Sequence, residues 1–154
     1  MNNNKGLKGF TLVELLVTVG IVSVVLVGLM QMFVYCNVLA ELGGNMTKVL
    51  SAASDKIEEM RNYNYDAIVT DYASGGAVGN TFDLSQPAGK GVVYIDSSNA
   101  NLLNVTVVVT FLNRNQRIVG EDVNLNGVLD AGEDLDGNGQ IDSRVKLMTM
   151  IAKK

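Results

Sequence analysis

The sequence predicts an α+β protein in which one long N-terminal helix packs on a small antiparallel sheet. Three observations predict it. Residues 10–36, FTLVELLVTVGIVSVVLVGLMQMFVYC, carry a single charge, Glu14. Leu39, Leu42, Met46, Val49, Ala53, Ile57 and Met60 then recur at spacings of three or four, the stripe of a helix with one apolar face. Residues 103–112 alternate with a period of two in β-branched side chains, the mark of a strand.

Composition narrows the chemistry. The chain has 154 residues and 16.5 kDa, enough for one modest domain and an appendage. It has no His, so the commonest general base and imidazole metal ligand are missing, and triads and zinc sites are poor readings. Its one Cys, Cys36, excludes an internal disulfide and, at the end of the apolar run, reads as a buried inert thiol. A net charge of −4 argues against nucleic acid as a partner. Nothing in this inventory looks like an enzyme.

Taken in chain order, residues 1–9 (MNNNKGLKG) are a short polar leader holding Lys5 and Lys8. Residues 10–36 make a helix of roughly 40 Å, longer than a bilayer's hydrocarbon core. Lysines ahead of such a helix keep the N-terminus cytoplasmic and send the C-terminal side outward. Val38-Leu39-Ala40 is only a weak match to a signal-peptidase site, so membrane insertion is the expectation. A lone carboxylate in hydrocarbon costs several kcal/mol, so Glu14 needs a partner.

The junction of leader and helix, Gly9-Phe10-Thr11-Leu12-Val13-Glu14, resembles the type IV prepilin signature. The resemblance is tight over residues 5–35. It implies cleavage by a prepilin peptidase between Gly9 and Phe10 and N-methylation of Phe10. It also implies a pilin-like fold, and Glu14 as the assembly residue facing the Phe10 amine of a neighbouring subunit. The partners implied are other pilin subunits in a helical filament, with the bacterial inner membrane as host before assembly. The mature location would be an extracellular pilus, or the periplasm for a pseudopilin.

Residues 37–154 then form the globular part. The helix continues over 37–62, with Gly43-Gly44 a soft spot in it. Residues 63–90, rich in Tyr and Gly and holding the only Pro, read as a variable loop with one short element near Ala67–Thr70. Its tyrosines read as surface or inter-subunit packing. Residues 91–154 hold strands at Gly91–Ile95, Leu103–Leu112, Arg117–Val119 and 144–152. Val105, Val107, Val109 and Phe111 share one face of the second strand, and three or four such strands would cover the helical stripe.

Between the last two strands, read as a hairpin, lies EDVNLNGVLDAGEDLDGNGQID, residues 121–142. It holds seven acids and no base, so the rest of the chain carries nine acids against twelve bases. The acidity of the protein is this loop. Asp122/Asp134, Asn126/Asn138, Gly127/Gly139, Leu129/Ile141 and Asp130/Asp142 match at a spacing of twelve. Twelve is the length of an EF-hand loop, with oxygens at positions 1, 3, 5, 7, 9 and 12 and Gly at 6. The first copy supplies Asp122, Asn124, Asn126, the Val128 carbonyl, Asp130 and Glu133. The second supplies Asp134, Asp136, Asn138, the Gln140 carbonyl and Asp142, but Val145 stands at its twelfth position. A second site must be weaker or completed by other groups; a glutamate at 145 would strengthen it if the strand permits.

These loops resemble calcium loops of the dockerin and EF-hand-like kind without their flanking helices. Hard oxygen donors favour calcium, one or two ions, over softer-liganded metals. Type IV pilus subunit, above all a minor pilin, is the leading reading, with twitching motility, adhesion, DNA uptake and secretion all open as the service of the fibre. Its rivals are a pseudopilin of a type II secretion system and a membrane-anchored calcium-dependent adhesion module.

Overall fold

The computed structural model describes residues 9–153. Apart from Gly9, the leader and its Lys5 and Lys8 lie outside the described residues. The chain divides into two compact units, Met1–Ala40 and Glu41–Lys154. One helix, α1 (Leu12–Arg61), contributes to both, and Gly43 and Gly44 are helical within it.

In the first unit, Thr11 opens α1: its carbonyl accepts from Leu15 N, and its hydroxyl accepts from Glu14 N at 3.3 Å. This is the hydroxyl half of a Thr-x-x-Glu capping box. Every large apolar side chain from Phe10 to Tyr35 is exposed, from 49% at Val22 to 83% at Phe10. A helix apolar all round and uncovered by its own chain belongs in an apolar medium or against other helices. Cys36 is exposed as well, where the sequence had suggested burial.

In the second unit, the α1 stripe buries Val49, Ala53, Ile57 and Met60, with Leu42 and Met46 packed beside them. The stripe begins at Leu42; Leu39, expected to share it, is exposed and lies in the first unit. Helix α2 (Tyr65–Asp71) follows, its first turn capped by the Asn64 side chain accepting from Asp66 N at 3.1 Å. Tyr72, expected on a surface, is buried: Tyr63 meets its ring edge-on at 5.3 Å and its hydroxyl donates to Glu59 at 2.8 Å.

Five strands make one antiparallel sheet: β1 (Thr81–Ser85), β2 (Ala88–Asn99), β3 (Leu102–Asn113), β4 (Arg117–Val119) and β5 (Val145–Ala152). Strand β1 lies in the segment expected to be loop. It is held by Phe82, which stands opposite Gly91 in the register; a Cβ on Gly91 would meet the Phe82 ring at 2.2 Å. The inner face of β3, Val105, Val107, Val109 and Phe111, is buried in one cluster with the α1 stripe. At about 25 cal/mol per Å², each such side chain contributes roughly 1.5–3 kcal/mol.

The topology corrects the expected hairpin between β4 and β5. Those two strands do not pair with each other. Both run antiparallel along β3, β4 beside Phe111–Asn113 and β5 beside Leu102–Val109. Val119 pairs with Phe111 and Val145 with Val109, so residues 120–144 stand opposite Thr110 alone. The acidic segment is therefore an insertion into one interrupted edge strand. It folds onto the outer sheet face, where Ile141 is buried with Val92 and Val108, and Leu129 and Tyr94 pack against them.

Candidate metal centre and assembly helix

The insertion is built on carboxylates that accept backbone N–H groups. In the first loop, Asp122 is fully buried, and its two oxygens accept from Asn126 N at 3.0 Å and Gly127 N at 2.8 Å. Asn124 and Asn126 both donate their amide groups to Asp130 Oδ2 at 2.8 Å. Glu133, 8% exposed, accepts from Val123 N at 2.8 Å with one oxygen and from Asp130 N at 3.0 Å with the other. Thus the side chains of Asp122, Asn124, Asn126, Asp130 and Glu133 are linked into one constellation. Gly127 at the sixth position has φ 77°, the left-handed conformation that glycine takes most readily.

The second loop repeats this in a more exposed setting. Asp134 accepts from Gly137 N at 2.7 Å, Asn138 N at 3.1 Å and Gly139 N at 3.0 Å. Asn138 donates to Asp136 Oδ2 and to Asp142 Oδ2, each at 2.7 Å, and Gly139 has φ 74°. Val128 and Gln140, at the carbonyl positions, donate their N–H groups to Asn126 and Asn138 side chains at 2.6 and 2.7 Å. Lys146 donates to Asp142 Oδ1 at 2.6 Å and holds that carboxyl below its ordinary range.

The residue missed in the sequence is Glu121. Its two oxygens accept from Leu135 N at 3.1 Å and from Asp142 N at 2.9 Å. Those donors are positions 2 and 9 of the second loop, the same positions that Glu133 holds in the first. Glu121 thus stands where the twelfth side chain of the second loop is wanted, while Val145 is a buried core residue of β5. Carboxylate oxygens of Glu121, Asp136 and Asp142 lie within 4.8 Å of one another. The signal was present: Glu121-Asp122 and Glu133-Asp134 are the same dipeptide twelve residues apart, so the repeat begins one residue earlier than it was read. Acid and amide oxygens with glycine at the turn fit a hard cation such as calcium by donor chemistry.

The other candidate residues lie at the start of α1. Phe10 is exposed, and the Glu14 carboxylate accepts no hydrogen bond among the described residues. Glu14 sits in the first turn of α1, where the helix dipole favours an acid.

Residues 1–30 match the family described as Prokaryotic N-terminal methylation motif. Comparisons with curated proteins and with solved structures give no match. The matched motif, the long apolar helix and the small antiparallel sheet fit a type IV prepilin or pilin-like protein. The motif implies processing by prepilin peptidase and assembly with other pilin subunits, and points to a structural subunit rather than an enzyme. Among the described residues, α1 is long and apolar enough to cross a membrane, which fits anchoring there before assembly.

Proposed function

We propose that the chain is a subunit of a type IV pilus, a minor pilin, polymerising through Phe10 and the part of α1 up to Ala40, with calcium holding its 120–144 insertion. The observation that carries the assembly reading is the exposed apolar surface of that segment, marked by one carboxylate and opening within a methylation motif. Cleavage after Gly9 creates a cationic amine at Phe10, at the helix end where the dipole disfavours a cation. Glu14 of a neighbouring subunit neutralises it as the helix enters the fibre. In hydrocarbon, that pairing is the state that satisfies both charges.

Mass spectrometry of assembled fibres tests the processing step, with a mature chain starting at N-methyl-Phe10 expected and an intact Met1 refuting it. Glu14→Leu inserts in the membrane normally but loses to the wild-type chain in co-expression incorporation assays; equal incorporation refutes the assembly role.

Two loops of oxygen ligands, the second completed by Glu121, support calcium as the cation. Millimolar calcium outside the cell fills even sites of roughly 10⁻⁴–10⁻³ M affinity. Titration calorimetry on the full chain in detergent micelles should register calcium uptake that Glu133→Gln weakens. Heat-silent titration, with the same melting temperature in calcium and in chelator, would leave the loops as solvated turns.

A further inference from the structure

Strand β5 is the last strand of the fold and has one partner, β3. Its own burial is thin. Val145 alone is fully buried; Leu147, Thr149 and Ile151 are half-covered, and Met148 and Met150 are exposed. The chain reaches β5 only through the 120–144 insertion, which stands opposite one residue of β3. Closing a long flexible loop at that junction costs conformational entropy, which falls on the Val145 end of the eight-residue β5 ladder next to it.

The contacts that bring the strand home run through the loops themselves. Glu121 N donates to the Asp142 carbonyl at 2.9 Å, closing the base of the insertion. Ser143 donates to the Val119 carbonyl at 3.3 Å, and Lys146 of β5 pairs with Asp142. Ile141 is buried against Val92 and Val108, and its N–H donates to the Tyr94 hydroxyl at 2.8 Å. At the far end, β5 is held by Ile151 packing on the core beside Leu103 and by the exposed contacts of Arg61 with Thr149 and Lys153 with Asp66.

We propose that the insertion is a calcium-operated fastener for β5. Ordering of the two loops seats Ile141 and the closed base against the sheet, and thereby holds the Val145 end of β5 on β3. This rests on the calcium reading above. Without the cation, the loops carry seven acids and bury few of their apolar side chains, and they release the strand by local rather than global opening. A subunit of this kind completes its sheet edge on the calcium-rich side of the membrane.

The test is hydrogen exchange on the full chain in detergent micelles, in millimolar calcium and in chelator, with calcium uptake measured by calorimetry on the same samples. Chelation should speed exchange of β5 amides by about tenfold or more, most near Val145 and least near Ala152, while β2 amides change far less. Ile141→Ala, which removes no ligand oxygen, should keep calcium uptake yet raise β5 exchange in calcium towards the chelated level. Tyr94→Phe should do the same more weakly. Calcium uptake with unchanged β5 exchange overturns the fastener and leaves the calcium reading standing. Equal slowing of β2 and β5 by calcium also overturns it, as global stabilisation. Absence of uptake overturns both.

Discussion

The two loops of the insertion carry nearly the same acid and amide side chains on unequal supports. The first closes on its own glutamate, Glu133, and its leading aspartate is fully buried. The second borrows Glu121 from ahead of the first loop, and its leading Asp134 is only partly covered. What the second loop has instead is Ile141, sunk into the outer face of the sheet. The difference teaches that a repeated motif need not be a repeated unit. Here the second copy depends on a glutamate that precedes the first, so a cut between them leaves the first loop whole and the second without Glu121.

The largest expected effect comes from forcing the second loop to be self-sufficient. By spacing, Val145→Glu supplies the missing twelfth ligand, and the sequence alone recommends it. The structure reverses that expectation, because Val145 is 4% exposed and belongs to the main core. A carboxylate there is an unpaired buried charge, costing about 4 kcal/mol. Thermal melting of the full chain in detergent should fall sharply in calcium and in chelator alike. A variant as stable as the wild type, with stronger calcium uptake, would mean that β5 yields its first residue to the loop.

Next comes the pair of glutamates. Calcium at a hundredfold excess over Kd stabilises a site by about 2.7 kcal/mol. Glu133→Gln should remove most of the first loop's share, and Glu121→Gln most of the second's. The second loss is the smaller, because the more exposed loop binds more weakly. Each substitution also places an amide donor opposite a backbone N–H, a cost of about 1 kcal/mol even without metal. Melting in calcium and chelator separates the two effects. A Glu121→Gln chain with undiminished calcium response would remove Glu121 from the second loop.

How much of this was legible from residues alone follows from what each signal depends on. The α1 stripe from Leu42 to Met60, the alternation of β3 and the twelve-residue repeat of the insertion are local patterns, and the spacing carries them. The overlap at Glu121 was also visible as a repeated Glu-Asp step, but the EF-hand template starts at the aspartate and hid it. Strand β1 was not legible: TFDLS is short and half-exposed, and it is fixed by Phe82 lying over Gly91, a contact between strands. The β4–β5 arrangement was not legible either. Two strands flanking a loop read as a hairpin, and only pairing with β3, nearly end to end, shows one interrupted edge. Tyr72 looked like loop chemistry because its burial is decided by α1 and Glu59, far from it in sequence.

A smaller effect tests the cation that the second loop already has. Lys146 reaches Asp142 at 2.6 Å, with both side chains about a third exposed, so the pair is worth less than about 1 kcal/mol. Lys146→Ala should lower stability slightly in chelator. In calcium the loss should shrink, and calcium affinity should rise about two- to threefold, because a competing positive charge has gone. A fall in affinity would mean that Lys146 positions Asp142 for the metal.

The smallest effect lies outside both loops and sharpens what the first of them lacks. Glu59 is an acid with its cation built in. Burial alone would raise its pKa, but hydrogen bonds from Lys56 and Tyr72, with the Lys56 charge, hold it below the ordinary 4.5. A carboxyl whose pKa is depressed on folding adds stability that is full above its unfolded value. That stability is lost as the pH falls through the folded one. The window therefore opens near pH 4.5 and extends downward. With half of the Glu59 side chain in solvent, screening limits the contribution to at most about 1 kcal/mol. Glu59→Gln should flatten that part of the acid stability curve by this amount, equally in calcium and in chelator. A change that calcium abolishes would tie this cluster to the insertion, and the contrast between a carboxylate paired within the chain and the loop carboxylates proposed to take calcium would collapse.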